Sequence, residues 1–178
     1  MITLINHQGT RVMEGIQIQT PSPPIGLAYL AATLKKMNIE YCVIDACGEA
    51  LDQVTPFPLR PDCFLQGLQT EEVIERVPAQ TDIIGITCLF SQYWPVVREL
   101  AKALRAHFPG ALMVLGGEHA TAVPEHVLSS GHFDVCVLGE GEETFLRLIH
   151  AHRDARSFAD IPGIAFLEDG QYRNNGLS

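Results

Sequence analysis

Three observations on this 178-residue sequence predict a doubly wound α/β fold, a mainly parallel sheet with helices on both faces. Apolar runs of strand length alternate with longer segments of helical period, five times in a row. Polar or glycine-bearing loops, beginning with the long one from Asn6 to Pro24, follow the strand runs, where open α/β sheets bind their ligands. The composition, 47% hydrophobic and 19% charged, supplies enough apolar material for one core of ordinary domain size.

The elements follow in order. Ile2 to Asn6 is the first strand, and Ile25 to Met37 is a helix that opens behind Pro23 and Pro24 with Leu27, Leu30, Ala31 and Leu34 on one face. Tyr41 to Asp45 is the second strand. Residues 46–68, with Pro56, Pro58 and Pro61 and no sustained period, read as an irregular excursion with a short helix near Ala50. A helix from Thr70 to Val77, a third strand from Asp82 to Cys88, and a helix from Trp94 to Phe108 carrying Val97, Leu100, Ala101 and Leu104 come next. Leu112 to Leu115 is strand four, Pro124 to Leu128 a short helix, Phe133 to Leu138 strand five, and Glu142 to His152 the last long helix. Gly163 to Leu167 and Gln171 to Arg173 flank Asp169-Gly170, which suits a type I′ hairpin turn.

Twelve basic against 21 acidic residues give a net charge of −9, which argues against nucleic acid and anionic membrane as partners, since both need clustered Lys and Arg. No stretch reaches the roughly 20 apolar residues of a membrane span, and the first residues lack the basic start of a signal peptide. A cytoplasmic protein is expected. Its five cysteines are odd in number and lie mostly in apolar runs, as reduced thiols do.

The loops at the strand ends are individually weak signals. Gly116-Gly117 lets another group approach the backbone, or is simply a tight strand-to-helix turn. Gly139-Glu140-Gly141-Glu142-Glu143-Thr144 places carboxylates at a helix start, where the dipole favours them, and does not match a phosphate-binding loop. Gly9, Gly15 and Gly26 are too far apart for the dinucleotide fingerprint.

Taken jointly, these segments resemble a family. Ser22-Pro23-Pro24-Ile25-Gly26-Leu27-Ala28-Tyr29-Leu30-Ala31-Ala32, Val43-Ile44-Asp45-Ala46, Asp82 to Thr87, Leu115-Gly116-Gly117-Glu118-His119-Ala120-Thr121 with Pro124-Glu125, and Phe133 to Phe145 are similar, in order and spacing, to the N-terminal cobalamin-binding domain of B12-dependent radical SAM proteins. That group includes methyltransferases and the anaerobic magnesium-protoporphyrin monomethyl ester cyclase. The likeness runs from about Ile2 to about Arg173. It implies a flavodoxin-like, Rossmann-like three-layer fold with a five-stranded, mainly parallel sheet and a C-terminal β-hairpin. It also implies a corrin over the carboxyl ends of the strands, with the nucleotide tail between sheet and helices. On that likeness the cobalamin-binding residues are Thr87, Leu89, Ser91, Gly116, Gly117, Glu118, His119, Thr121, Gly139, Glu140, Gly141, Pro24 and Asp45. Residues 1–155 would form the cofactor domain, and residues 156–178 the hairpin and linker toward a radical SAM barrel.

Two departures qualify the resemblance. The pattern Asp-x-His-x-x-Gly, whose histidine ligates cobalt, is missing after strand one, where Asn6-His7-Gln8-Gly9 stands. The expectation is a base-off corrin without a histidine ligand, with His7 as the rival metal ligand by residue type. Cys47 reads as an incidental thiol beside a turn glycine, and His126, His132, His150 and His152 as surface or helix-end residues without zinc-ligand spacing. There is also no Cys-x-x-x-Cys-x-x-Cys loop to hold a 4Fe-4S cluster, so the resemblance implies that the cluster and S-adenosylmethionine would sit in a separate domain, acting in cis or in trans. No catalytic residue is assigned. The remaining readings are a flavodoxin-like regulatory or sensor domain, a flavin binder, and a stand-alone cobalamin carrier.

Overall fold

A computed structural model describes residues 1–12 and 22–177. The loop expected between Asn6 and Pro24 therefore lies partly outside the described residues. Five parallel strands form the centre: β1 (Ile2–Asn6), β3 (Tyr41–Asp45), β6 (Ile83–Thr87), β7 (Leu112–Gly116) and β8 (Val135–Val137). In space they stand in the order β3-β1-β6-β7-β8, the flavodoxin-like 2-1-3-4-5 arrangement, so strand order reverses between β1 and β6.

The pleat explains why helices cover both faces. Ile2 and Leu4, Ile83, Leu112 and Val114, Val135 and Val137 turn toward α1 (Ile25–Lys36) and α6 (Glu142–Arg153). Ile5, Ile84 and Ile86, Met113 and Leu115, and Cys136 turn the other way, toward α2 (Thr70–Arg76), α3 (Trp94–His107), α4 (Glu118–Ala122) and α5 (Pro124–Ser129). Strands buried on both faces read as unbroken apolar runs, which is why their positions were legible.

The C-terminal hairpin, β9 (Ile164–Glu168) and β10 (Gln171–Asn174), does not stand apart. It pairs antiparallel on β8 and extends the sheet to seven strands. Asp169 and Gly170 have φ of 51° and 76°, the two positive values a type I′ turn requires.

The excursion at residues 46–68 is more ordered than its sequence predicts. A 3₁₀ turn at Gly48–Ala50 matches the expected short helix near Ala50. Beyond it, β4 (Val54–Pro56) and β5 (Cys63–Gln66) join β2 (Gly9–Val12) in a second, antiparallel sheet of order β2-β5-β4. Gln66 fastens this sheet from a buried position. Its Oε1 accepts Arg11 Nε at 2.9 Å and its Nε2 donates to Leu51 O at 2.6 Å. Glu72, in the capping box of α2, accepts both Gln69 N and Gln53 Nε2 at 2.7 Å and so ties the excursion to that helix. Among the described residues no helix is long and apolar enough to cross a membrane.

Candidate ligand site at the strand ends

Register aligns the last residues of four central strands. Asn6 lies opposite Asp45 on one side and Thr87 on the other, and Thr87 lies opposite Gly116. This row, Asp45-Asn6-Thr87-Gly116, crosses the switch point where α/β sheets hold ligands. Asp45 is committed within it: Oδ1 accepts Asn6 Nδ2 at 2.8 Å and Gly48 N at 3.0 Å. Its carboxylate shapes the turn after β3.

The two glycines after β7 differ in role. A Cβ on Gly116 would meet nothing within 4 Å among the described residues. Gly117 has φ of 98°, and a Cβ there would lie 2.6 Å from the Cys88 carbonyl oxygen. Hydrogen bonds hold the two loops together at this point, Cys88 N to Gly116 O at 2.9 Å and His119 N to Cys88 O at 3.1 Å. Gly117 thus serves a contact within the chain, and only Gly116 opens onto free space. The loops after β7 and β8 are joined in turn by Gly139 N donating to Thr121 Oγ1 at 2.9 Å.

Aromatic and imidazole rings organise the layer beneath. His119 is 5% exposed, its ring centroid 4.9 Å from that of Trp94, the only tryptophan in the chain, and its Nδ1 shares a 2.9 Å hydrogen bond with Ser91 Oγ. Its Nε2 is buried with no partner among the described residues. His7 is 7% exposed and its ring lies 4.8 Å from Tyr93. His7 Nδ1–H donates to the Gln8 carbonyl at 2.5 Å, which in the neutral ring leaves the lone pair on Nε2. Gln8, 1% exposed, has neither Oε1 nor Nε2 paired among the described residues. Leaving a buried polar group unpaired costs on the order of 1–3 kcal/mol, so such atoms stand out in an otherwise satisfied fold. The sequence alone did not single out Gln8, Tyr93 or Trp94, because burial and ring contacts such as Trp94–His119 and His7–Tyr93, between residues far apart in the chain, leave no local pattern.

The rest of the edge is open. Leu89 and Phe90, 51% and 57% exposed, present apolar side chains on the loop after β6, and Ser91, Glu118 and Glu140 are exposed as well. Pro24 and Gly141 are half-buried near the starts of α1 and α6, where Leu30 comes within van der Waals distance of the Gly141 Cβ position. A cleft of about 580 Å³ lies elsewhere, along α3 and α5, lined by Trp94, Arg98, Lys102, His126, Ser130 and His132 among others. It contains none of the strand ends, so the switch point and not this cleft defines the candidate site.

Burial pushes the Cys47 thiol up from its ordinary value, so Cys47 is a poor thiolate ligand. Among the described residues no three His, Cys, Asp or Glu side chains converge as a metal site. Burial also lowers His7, His119 and His132 below the ordinary histidine value of 6.5, His126 adding to the effect at His119. At His132 the Glu99 carboxylate opposes it, and Lys102, Arg98 and Arg105 reinforce it.

Residues 15–149 match the model of a family described as "B12 binding domain". Cytidylyl-2-hydroxyethylphosphonate methyltransferase of Streptomyces wedmorensis is 30% identical over 150 residues, which cover 83% of this chain and 28% of that protein. Anaerobic magnesium-protoporphyrin IX monomethyl ester cyclase of Cereibacter sphaeroides is 32% identical over 161 residues, 86% of this chain and 23% of that one. The chain therefore spans less than a third of the length of these relatives. Two solved structures share the fold. The radical S-adenosylmethionine methyltransferase TsrM from Kitasatospora setae, with cobalamin and a 4Fe-4S cluster bound, superposes with a TM-score of 0.69 at 19% identity over 98% of this chain and 30% of that one. The cobalamin-dependent S-adenosylmethionine radical enzyme OxsB, with aqua-cobalamin and S-adenosylmethionine bound, gives 0.73 at 17% identity over 99% and 22%.

Two expectations follow. Gly117→Ala loses about 2 kcal/mol or more of unfolding free energy in urea, because the new Cβ meets backbone at a glycine-only φ, whereas Gly116→Ala stays within about 0.5 kcal/mol. The lowered histidines resist protonation in the folded state, while the unfolded chain takes protons up near pH 6.5. Their contribution is complete above that pH and is lost as pH falls through the folded values. Unfolding free energy measured at pH 5.5 is therefore below that at pH 7.5, and His7→Phe narrows the difference.

Proposed function

The chain belongs to the B12-binding domain family, and we propose that it holds a cobalamin across the row of strand ends at the β1/β6 switch point. The observation that carries the placement is that, among the described residues, nothing stands over Gly116 in that row. A corrinoid is a large ligand with apolar faces and an amide-bearing rim, and the residue types fit it. Leu89 and Phe90 supply an exposed apolar shelf, Thr87 and Ser91 hydroxyls, and the unpaired Nε2 of His119 a buried polar atom in need of a partner. Glu118, Thr121, Gly139, Glu140 and Gly141 line the adjoining loops, with Pro24 and Asp45 at the flanks.

When bound, the cofactor supplies cobalt chemistry such as methyl-group carriage. This chain's residues bind it, orient it and exclude water from one side. His7 is held neutral, and its ring is covered at Tyr93. We read it as part of the floor of the site, where its neutral Nε2 would be the protein nitrogen that competes for the cobalt.

The whole protein's reaction, methyl transfer or oxidative cyclisation, would be performed with a radical S-adenosylmethionine domain, in cis or in trans, that carries the 4Fe-4S cluster. Residues 175–177 run along the same carboxyl edge, Leu177 lying 3.4 Å from the Gly139 Cβ position. That direction favours residues 156–178 as hairpin and linker toward a domain facing the cofactor. A cytoplasmic setting fits the five free thiols.

Titration with hydroxocobalamin followed by desalting tests the reading. About one corrinoid per chain is expected to remain, with Gly116→Phe binding at least tenfold more weakly at unchanged melting temperature. In the reduced cob(II)alamin complex, electron paramagnetic resonance is expected to show no axial-nitrogen coupling. A nitrogen coupling that His7→Phe abolishes would make His7 the ligand instead. Failure of the wild type to retain any corrinoid would favour a sensor or regulatory domain.

A further inference from the structure

Among the described residues two glutamines are buried, and only one has its side-chain amide paired. Gln66 uses both ends of its amide, toward Arg11 and Leu51. Gln8 uses neither, although it is the more deeply buried and stands two residues beyond the end of β1, at the switch point itself. Its neighbour Gly9 pairs with Gln66 in the small sheet, so the backbone at Gln8 is held in place from both sides. A carboxamide in that setting presents one donor and one acceptor side by side. The group that satisfies both at once is a second carboxamide, its N–H donating to Oε1 while its oxygen accepts from Nε2. A carboxylate accepts from Nε2 and leaves Oε1 facing a negative oxygen.

We propose that Gln8 is a specificity-determining residue that recognises a side-chain carboxamide of the corrinoid and discriminates against corrinoids bearing a carboxylate at that position. This rests on the cobalamin reading above and deepens it. The ligand-free protein tolerates an unpaired amide at a cost to its own stability, and the bound ligand removes that cost.

The test uses the 178-residue chain with Gln8→Met, which keeps length and volume but removes both polar atoms, and Gln8→Glu, which keeps the shape and removes the donor. Each is titrated with hydroxocobalamin and with its purified monocarboxylate derivatives, in which single side-chain amides are hydrolysed, and melted without ligand. Three results are expected together. Gln8→Met binds hydroxocobalamin about tenfold more weakly than wild type, with Gln8→Glu weakened at least as much. Wild type binds at least one monocarboxylate about tenfold more weakly than the parent, and Gln8→Met loses that preference. Ligand-free Gln8→Met melts about 2–4 °C higher than wild type, since an unsatisfied buried amide has been replaced by an apolar chain. A purely structural glutamine would give the opposite sign in the last measurement. Wild type that binds while Gln8→Met binds equally well, or that binds amide and acid forms alike, overturns the assignment of Gln8 and leaves the cobalamin reading standing. Wild type that binds no corrinoid overturns the cobalamin reading, and with it this one.

Discussion

The Cys88 carbonyl oxygen occupies the position a side chain on residue 117 would need, and much of the candidate site depends on that contact. Because residue 117 is glycine at a φ of 98°, the loop after β7 packs directly against the loop after β6, and two backbone hydrogen bonds close the join. Everything on either side then has a fixed place. Thr87 and Gly116 end their strands in register, α4 begins at Glu118, and His119 reaches Ser91 and Trp94. A longer side chain at 117 would separate the loops and spread the row of strand ends, whereas at 116 it would only fill the space above them.

The site therefore combines rigid backbone with incomplete polar pairing. Asp45, Thr121 and Gln66 spend their polar atoms on the protein, holding turns and the small sheet in place. Gln8 and His119 keep buried atoms without partners. Among the described residues the fold satisfies buried Gln66 and leaves the amide of Gln8 unpaired. Burial of His7, His119 and His132 keeps these imidazoles toward the neutral form and links the stability of the domain to pH.

Legibility in the sequence followed from the range of the interactions involved. β1 and β3 agree residue for residue with the runs Ile2 to Asn6 and Tyr41 to Asp45: β1 is buried on both faces and, Thr3 and its last residue apart, apolar, and β3, an edge strand with Ile44 buried, is rich in strand-forming residues. The Asp169-Gly170 turn was legible because its geometry is set by two adjacent residues. The strands Gly9–Val12, Val54–Pro56 and Cys63–Gln66 were not, being three or four residues long, partly polar, interrupted by proline and stabilised by partners as far as 57 positions away (Gly9 with Gln66). The helix Glu118–Ala122 was missed for a similar reason: a single five-residue turn has no period of its own to read.

The sequence by itself determined the α/β class, the order of the five parallel strands along the chain, the family resemblance and the loops at which a ligand would meet the sheet. These rest on local periodicity and on motifs of a few consecutive residues. Only the tertiary structure decided that the hairpin joins the main sheet, that Gly117 serves the protein while Gly116 faces open space, and that Gln8 and His119 are buried with atoms unpaired. Whether a polar atom is satisfied, or a Cβ has room, depends on groups brought from distant parts of the chain, and no local pattern encodes their arrival.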